Sequence, residues 1–406
     1  MTPKRFVLLL LCAALLAGTA ACGLRLETVQ PVPRETEVQP PDEETTEPQS
    51  EPEPLPEPTA EELLQARAEE LLAQLTLEQL VGQVFFARSP GPAGDGVGLM
   101  ERYQLGGYLL FKRDFQDAAG QWLTGQQLTA QLAAWREAAA IPPLFGVDEE
   151  GGTVTRASQN PNLFPDGRSP SPQTLYKSGG LAAIAEDAAY KSGVLLQYGI
   201  NVNLAPVADV TTDSDAFMYD RAFGRDAAAT AEYVQTVLSA MEQAGIGAVL
   251  KHFPGYGSNG DTHTAVVTDS RPLEQLVEND LLPFCVGGAY ANAAVLVSHN
   301  IVTALDADLP ASLSPAAYAL LRQEAGFDGV AMTDDLSMDA VEAYAADGRA
   351  AVLALQAGAD MVITSDAEQD VTAVFLALEE GTLSRERLEE AALRVLKWKL
   401  TLGIVE

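Results

Sequence analysis

From about position 59 to the C-terminus, short apolar runs alternate with longer stretches in which apolar residues recur three or four positions apart. Eight short runs stand out, at 81–86, 107–111, 144–147, 202–210, 248–253, 294–298, 329–333 and 361–364. Runs of this length bounded by Gly, Pro and Asp read as buried strands. The stretches between them carry the helical period, for example 124–140, 181–198, 227–244, 273–291 and 337–357. Strands that alternate with helices must lie parallel, because each return to the sheet is made by a crossover. Eight such units predict a closed α/β fold, a single (β/α)8 barrel of the TIM type. The first helix is expected to start after Thr59, since Thr59 followed by Glu62 has the spacing of a capping box and leucines continue at helical intervals to Leu80. A last amphipathic helix at 385–402 would close the outer ring.

The front of the chain has a different character. Lys4 and Arg5 precede an apolar run from Phe6 to Gly18. That run is shorter than the ~20 residues needed to span a bilayer and has the layout of a secretory signal. It leads to Thr19, Ala20, Ala21 and Cys22, which resembles a bacterial lipobox, with Thr19 where a leucine is usual. We therefore expect residues 1–21 to be a signal peptide and Cys22 to be lipidated. An ordinary cleaved signal followed by an incidental cysteine is the other reading. The protein would then be exported and held at the bacterial membrane by its N-terminal lipid, facing away from the cytoplasm. Residues 22–60 form the expected tether. Nine prolines lie between Pro31 and Pro58, and twelve acids but one base, Arg34, lie between Glu27 and Glu62. A segment of that composition buries too little apolar surface to order itself. The catalytic domain is expected to occupy 61–406.

Charge narrows the partners. A net charge of −32 in 406 residues argues against nucleic acid, whose phosphates call for Lys and Arg. The three cysteines are Cys12, Cys22 and Cys285. Cys12 leaves with the signal and Cys22 would carry lipid, so the folded part is expected to have no disulfide, with Cys285 as a small buried hydrophobe.

Polar residues gather at the predicted strand ends, where barrels of this kind place their sites. The third strand runs into Asp148, Glu149 and Glu150, the fifth into Lys251 and His252, the sixth into Ser298, His299 and Asn300, and the seventh into Asp334 and Asp335. All three histidines of the chain, His252, His263 and His299, fall in these regions. Asp334, fixed at a rigid strand end, suits a nucleophile. Either Asp334 or Asp335 could instead cap the following helix. His263 lies in a Gly-rich loop two residues after Asp261, so in extended chain both side chains project to one side. Asp261 could then orient the imidazole and make the pair a candidate general acid/base. Taken alone, Asp-x-His reads as an incidental loop. Lys251, His252, Arg156 and Arg221 could supply fixed donors, and Asp148 an acceptor, or each could serve a structural ion pair. Asp209, Asp213 and Asp215 have no histidine near them in sequence and read as a polar loop rather than a metal site.

At this point the chain resembles glycoside hydrolase family 3, in its bacterial β-N-acetylhexosaminidase branch, over about residues 70–403. Four segments carry the resemblance in order: Val147 to Arg156, Asp220 to Gly224, Lys251 to Gly255 followed by Asp261 and His263, and Thr333 to Met338. It implies Asp334 as the nucleophile of a retaining mechanism and His263, supported by Asp261, as the acid/base. It implies that Asp148, Arg156, Arg221, Lys251 and His252 bind a terminal N-acetylglucosamine. The substrate would be a glycan or muropeptide containing that sugar, with no cofactor or metal, and a monomer is expected. Tyr256 stands where many members have a second histidine, and the loop before Asp261 is a residue shorter than in many relatives. Three readings compete: a β-glucosidase or β-xylosidase, whose acid/base usually comes from a second domain rather than from an Asp-x-His loop; a phosphorolytic enzyme; and a lipid-anchored sugar-binding protein without catalysis.

Overall fold

The computed structural model describes residues 58–257, 259–262, 266–344 and 346–406. The lipidation residue Cys22, the signal and most of the expected linker lie outside the described residues, as does His263.

Eight parallel strands form the centre: β1 (Phe85–Arg88), β2 (Gly107–Leu110), β3 (Leu144–Val147), β4 (Val202–Asn203), β5 (Gly247–Phe253), β6 (Ala293–Val297), β7 (Val330–Thr333) and β8 (Val362–Thr364). They pair in sequence order, and β8 returns to β1 with Phe85 opposite Val362. The seam between β7 and β8 is a single parallel bridge, Met332 to Met361, extended by the Thr333 amide donating to the Met361 carbonyl at 3.1 Å. The result is a nearly closed barrel of the TIM type.

Alternation along the strands sorts the apolar side chains into two cores. Phe86, Leu109, Leu144, Val202, Leu204, Val249, Leu296, Met332 and Ile363 pack together as one cluster drawn from all eight strands, which is the barrel interior. Their neighbours, such as Phe85, Tyr108, Phe145, Leu250 and Val295, pack outward against the helices. Space inside is tight: a Cβ on Gly146 would stand 2.4 Å from the Phe86 ring, so glycine there lets Phe86 fill the barrel. Val395 and Trp398 of the last helix, Arg385–Thr401, join the interior cluster. The Trp398 indole donates to the carbonyl of Asn292, just before β6, at 2.9 Å, so this helix stoppers the N-terminal end of the barrel.

The structure moves several predicted boundaries. The run 81–86 straddles two elements: Leu77–Gln83 is a helix with its own capping box, Thr76 and Gln79, and the strand begins at Phe85. An apolar run cannot by itself separate a buried helix end from a strand. The helix capped by Thr59 and Glu62 forms as expected and runs over Ala60–Gln74. The predicted strand 202–210 is regular only at Val202–Asn203, because Pro206 has no N–H to give to the ladder. The chain nonetheless stays beside β5, where the Ala208 amide donates to the Lys251 carbonyl. The region 337–357 is two 310 turns, Asp339–Tyr344 and Ala346–Gly348, before the helix Arg349–Ala357. Gly348 sits there at φ +74°. Helices Pro315–Gln323 and Ala367–Glu379 complete the ring. Cys285 is exposed, not buried as expected: it lies on the solvent face of the helix Leu281–Gly287.

Candidate active site

Continuing the inward alternation past each strand brings polar residues to the barrel mouth. Arg88 follows Phe86, Phe111 follows Leu109, Asp148 follows Gly146, Lys251 follows Val249 and Asp334 follows Met332, each two positions on. All five line one cavity of about 350 Å3 at the C-terminal ends of the strands, with Arg156, Arg221 and His252. The structure thus gathers six of the residues expected from sequence around a single pocket. Asp261 is half-buried in the loop after β5.

Four charges interlock on one wall. The Lys251 ammonium lies 2.6 Å from Asp148 Oδ1 and 2.7 Å from Glu150 Oε1. Arg221 grips Glu150 with both prongs, Nε to Oε2 at 3.0 Å and Nη2 to Oε1 at 2.7 Å. Glu150 and Lys251 are almost fully buried. Burial alone would raise the Glu150 carboxyl, but Arg221 and Lys251 outweigh it and hold the group well below the usual carboxylate range. Burial would likewise lower Lys251, and the carboxylates of Asp148 and Glu150 reverse that, so the ammonium is stabilised. Isolated, any of these charges would be costly to bury; paired and hydrogen-bonded, they are tolerable.

Glu150 reaches this position because of the residues that follow it. Gly151 and Gly152 adopt φ +101° and +66°, and the Gly151 amide donates back to the Val154 carbonyl at 3.1 Å. This tight reversal needs glycine and keeps Glu150 against the barrel. Glu149 points the other way and accepts from the Ser158 and Arg156 amides, a structural role.

His252 is set by Asp209. Between Lys251 and Phe253 the register of β5 against β6 shifts, so the alternation fails and consecutive residues Lys251 and His252 both line the cavity. The Lys251–His252 peptide bond is cis. Asp209 Oδ2 lies 2.7 Å from His252 Nδ1 and also takes the His252 amide at 3.2 Å. Arg221 Nη2 donates to His252 Nε2 at 3.2 Å. Arginine has only protons to give, so Nε2 carries a lone pair and Nδ1 the proton that Asp209 receives. The second Asp209 oxygen accepts the Tyr256 amide at 2.8 Å. Asp209 therefore has a histidine partner in space, which corrects its reading as one of three acids in a polar loop. No group of three or more His, Cys, Asp or Glu among the described residues is arranged to hold a metal ion.

Across the pocket, Asp334 Oδ1 accepts the Asp335 amide at 2.8 Å. Asp335 is held as a structural residue: it accepts from the Ser337 amide and the Ser365 hydroxyl. Its carbonyl takes a hydrogen bond from His299 Nε2 at 3.0 Å. Both acids line the cavity, and Asp335 also organises the turn that follows. Tyr256 is buried, meets the His252 ring edge-on at 5.2 Å and bonds Thr262 through its hydroxyl. The residue that replaces a second histidine is therefore a brace between the start of the loop and the residue beside Asp261.

Sequence reasoning passed over Glu150, Asp209, Arg88 and Phe111. Period two from Phe86 and Leu109 could have found the last two, and the glycine pair marks Glu150. The partnership of Asp209 with His252, 43 residues apart, has no local signal.

The chain is similar to several known proteins. The β-hexosaminidase LpqI of Mycobacterium tuberculosis (strain ATCC 25618 / H37Rv) is 35% identical over 270 residues, covering 64% of this chain and 68% of that protein. A solved structure of M. tuberculosis LpqI matches with a TM-score of 0.73 at 31% identity, over 81% of this chain and 95% of that one. A family 3 β-N-acetylglucosaminidase from Paenibacillus sp. str. FPU-7 gives a TM-score of 0.73 at 30% identity over 81% of this chain; only 63% of that longer protein is matched. The domain described as the glycosyl hydrolase family 3 N terminal domain matches residues 69–398. That stretch takes in every barrel strand and every side chain placed around the cavity, and on it the chain belongs to glycosyl hydrolase family 3, as a glycoside hydrolase akin to the β-hexosaminidases.

Proposed function

We propose that this protein is a retaining exo-β-N-acetylglucosaminidase that removes terminal, non-reducing β-linked N-acetylglucosamine, and that Asp334 is its nucleophile. One observation carries the reading: Asp334, with one oxygen pinned by the Asp335 amide, faces the same pocket as the Asp148–Lys251–Glu150–Arg221–His252 network. In this scheme Asp334 attacks the anomeric carbon, the glycosidic C–O bond breaks, and a covalent glycosyl-aspartate forms. His263, supported by Asp261, gives a proton to the departing oxygen and later takes one from the water that releases the sugar; these two roles rest on the sequence. Lys251 gives two of its three N–H groups to Asp148 and Glu150, leaving one for a sugar hydroxyl. Asp148, Arg156, Arg221 and His252 hold the sugar. With an N-terminal lipid on Cys22 the enzyme would work outside the cytoplasmic membrane on peptidoglycan fragments.

The test is turnover of an aryl N-acetyl-β-glucosaminide against the matching β-glucoside. We expect only the first to be cleaved well, with Asp334→Asn lowering kcat by several orders of magnitude. Equal activity of Asp334→Asn and wild type would sink the mechanism, and equal cleavage of the two substrates the sugar assignment. Release of sugar 1-phosphate when inorganic phosphate is added would identify a phosphorylase instead.

A further inference from the structure

After β5 the chain makes an excursion and returns to the barrel wall around one arginine. On its return, Thr268–Asp269 pairs in parallel with Ile301–Val302, beyond β6. The Asp269 carbonyl accepts the Thr303 amide at 2.9 Å and the Thr303 hydroxyl at 3.0 Å. Arg271 then folds back over this strand. Its Nε lies 3.1 and 3.0 Å from the two Asp269 carboxylate oxygens, and Nη2 lies 2.6 Å from Oδ2. Nη1 grips both oxygens of Asp280, at 2.8 and 2.9 Å, just ahead of the helix Leu281–Gly287. Nη2 also donates to the Gly255 carbonyl at 2.9 Å, at the outgoing end of the excursion. Every guanidinium nitrogen is thus engaged, and both carboxylates are almost fully buried.

The outgoing end is shaped to fit this cluster. Gly255 has φ +113°, and a Cβ there would stand 2.5 Å from Asp280 Oδ1. Gly257 has φ +56°, and a Cβ there would stand 2.6 Å from the guanidinium carbon of Arg271. Only glycine allows both the backbone and the close approach. The Gly255 amide donates to the His252 carbonyl at 2.8 Å, so the same turn continues into the sugar pocket. One side chain therefore ties the start of the excursion to its return strand and to a helix, and Asp261 and His263 lie between the two tied ends in sequence. Stability alone does not call for such a knot, because a buried ion-pair cluster is seldom better than apolar packing of the same volume. Its forked geometry supplies what apolar packing lacks, a fixed direction at each end.

We propose that Arg271 is a positioning residue for proton transfer: by fixing both ends of the segment from Gly255 to Asp269 it sets where the acid/base meets the glycosidic oxygen. The proposal rests on the reading of His263, supported by Asp261, as the acid/base of a glycosidase. Arg271 is not among the side chains that line the sugar pocket, and Asp334 follows a different strand, β7. Loosening the knot should therefore misplace the proton donor and leave the nucleophile where it is. A misplacement of ~1 Å at a reacting group costs about 100-fold in rate.

Two N-acetyl-β-glucosaminides that differ only in the aglycone test it, one dinitrophenyl and one plain phenyl. Dinitrophenolate departs as a stable anion when Asp334 attacks, whereas the phenyl oxygen needs a proton as its C–O bond breaks. Arg271→Lys keeps the charge and loses the fork. It should lower kcat/KM about 100-fold for the phenyl substrate and less than about threefold for the dinitrophenyl one. Asp280→Asn leaves Arg271 on Asp269 and should give the same pattern more weakly; it carries the test if Arg271→Lys shows no cooperative unfolding transition. Equal losses on the two substrates, as a merely structural role would give, or no loss on either, would overturn the proposal and leave the glycosidase reading standing. A wild type inactive on both substrates would remove that reading, and the proposal with it.

Discussion

Replacing Glu150 by glutamine tests whether the charge network beneath the sugar pocket is one energetic unit. Glutamine keeps the size of the side chain but loses its charge and turns one acceptor oxygen into a donor. In the native site that carboxylate receives Arg221 at 2.7 and 3.0 Å and Lys251 at 2.7 Å. Lys251 would keep Asp148 at 2.6 Å, but Arg221 would lose its one carboxylate ion-pair partner among the described residues, keeping His252 and Met218 Sδ. Removing one partner of a buried ion pair costs about 3–5 kcal/mol, mostly because the remaining charge is stranded. Unfolding entropy of about 2.1 cal/mol/K per residue gives ~0.7 kcal/mol/K for a domain of roughly 340 residues, so the midpoint should fall by about 4–7 °C. Calorimetry at pH 7 reads this directly, and kcat/KM should fall about 10- to 100-fold as Arg221 and His252 lose their alignment. Adding Arg221→Met removes the stranded charge, so the double variant should be less destabilised than the two single losses summed, by about 1–3 kcal/mol. An unfolding midpoint for Glu150→Gln within a degree of wild type, or strict additivity in the double variant, would refute the reasoning.

Other consequences follow from named contacts. Asp209→Asn should cut kcat/KM by about 10- to 100-fold with little change in stability, since it releases the His252 tautomer while keeping size; unaltered kinetics would count against a role for Asp209 in setting His252. Tyr256→Phe removes a buried hydroxyl from Thr262 and should cost about 1 kcal/mol in urea unfolding; no change would mean the brace is energetically empty. Lys399 is fully buried at the stoppered end of the barrel, where Gln83 Oε1 at 2.6 Å is its side-chain partner among the described residues, and burial pulls its ammonium down to about 7. Between pH 7 and the ordinary lysine range the unfolded chain holds a proton that the fold does not. Stability should therefore rise with pH in that window by up to about 1.4 kcal/mol per unit. Lys399→Met should flatten the rise between pH 7 and 9; an identical slope in the variant would show that Lys399 stays charged inside.

How much of this was legible in the sequence depends on the range of the interaction. Period-two and helical patterns are local, so the strand–helix alternation could be read directly, and with it Asp148, Lys251 and Asp334 at strand ends. Boundaries failed where a local cap competed with an apolar run, as Thr76 and Gln79 did just ahead of β1, and where Pro206 interrupted a ladder. The site was half legible for a related reason. Arg88 and Phe111 obey the same alternation as Asp334. Asp209, by contrast, owes its role to a register shift in β5 that turns His252 toward the pocket, and no spacing in the sequence announces where two strands slip.

The charge balance of the site also bears on why a histidine should serve as proton donor. Lys251 bridges Asp148 and Glu150, Arg221 also holds Glu150, and Asp209 is held by the His252 ring. Asp334 brings a further carboxylate to the same cavity. A glutamic acid placed within reach of the same glycosidic bond would leave a second negative charge about 5 Å away after giving up its proton. Like charges at that distance raise each other's pKa and hinder attack by a second anion. An imidazolium that loses its proton becomes neutral and adds no such repulsion. An acid of the type that His263 would provide therefore suits the nucleophile proposed at Asp334.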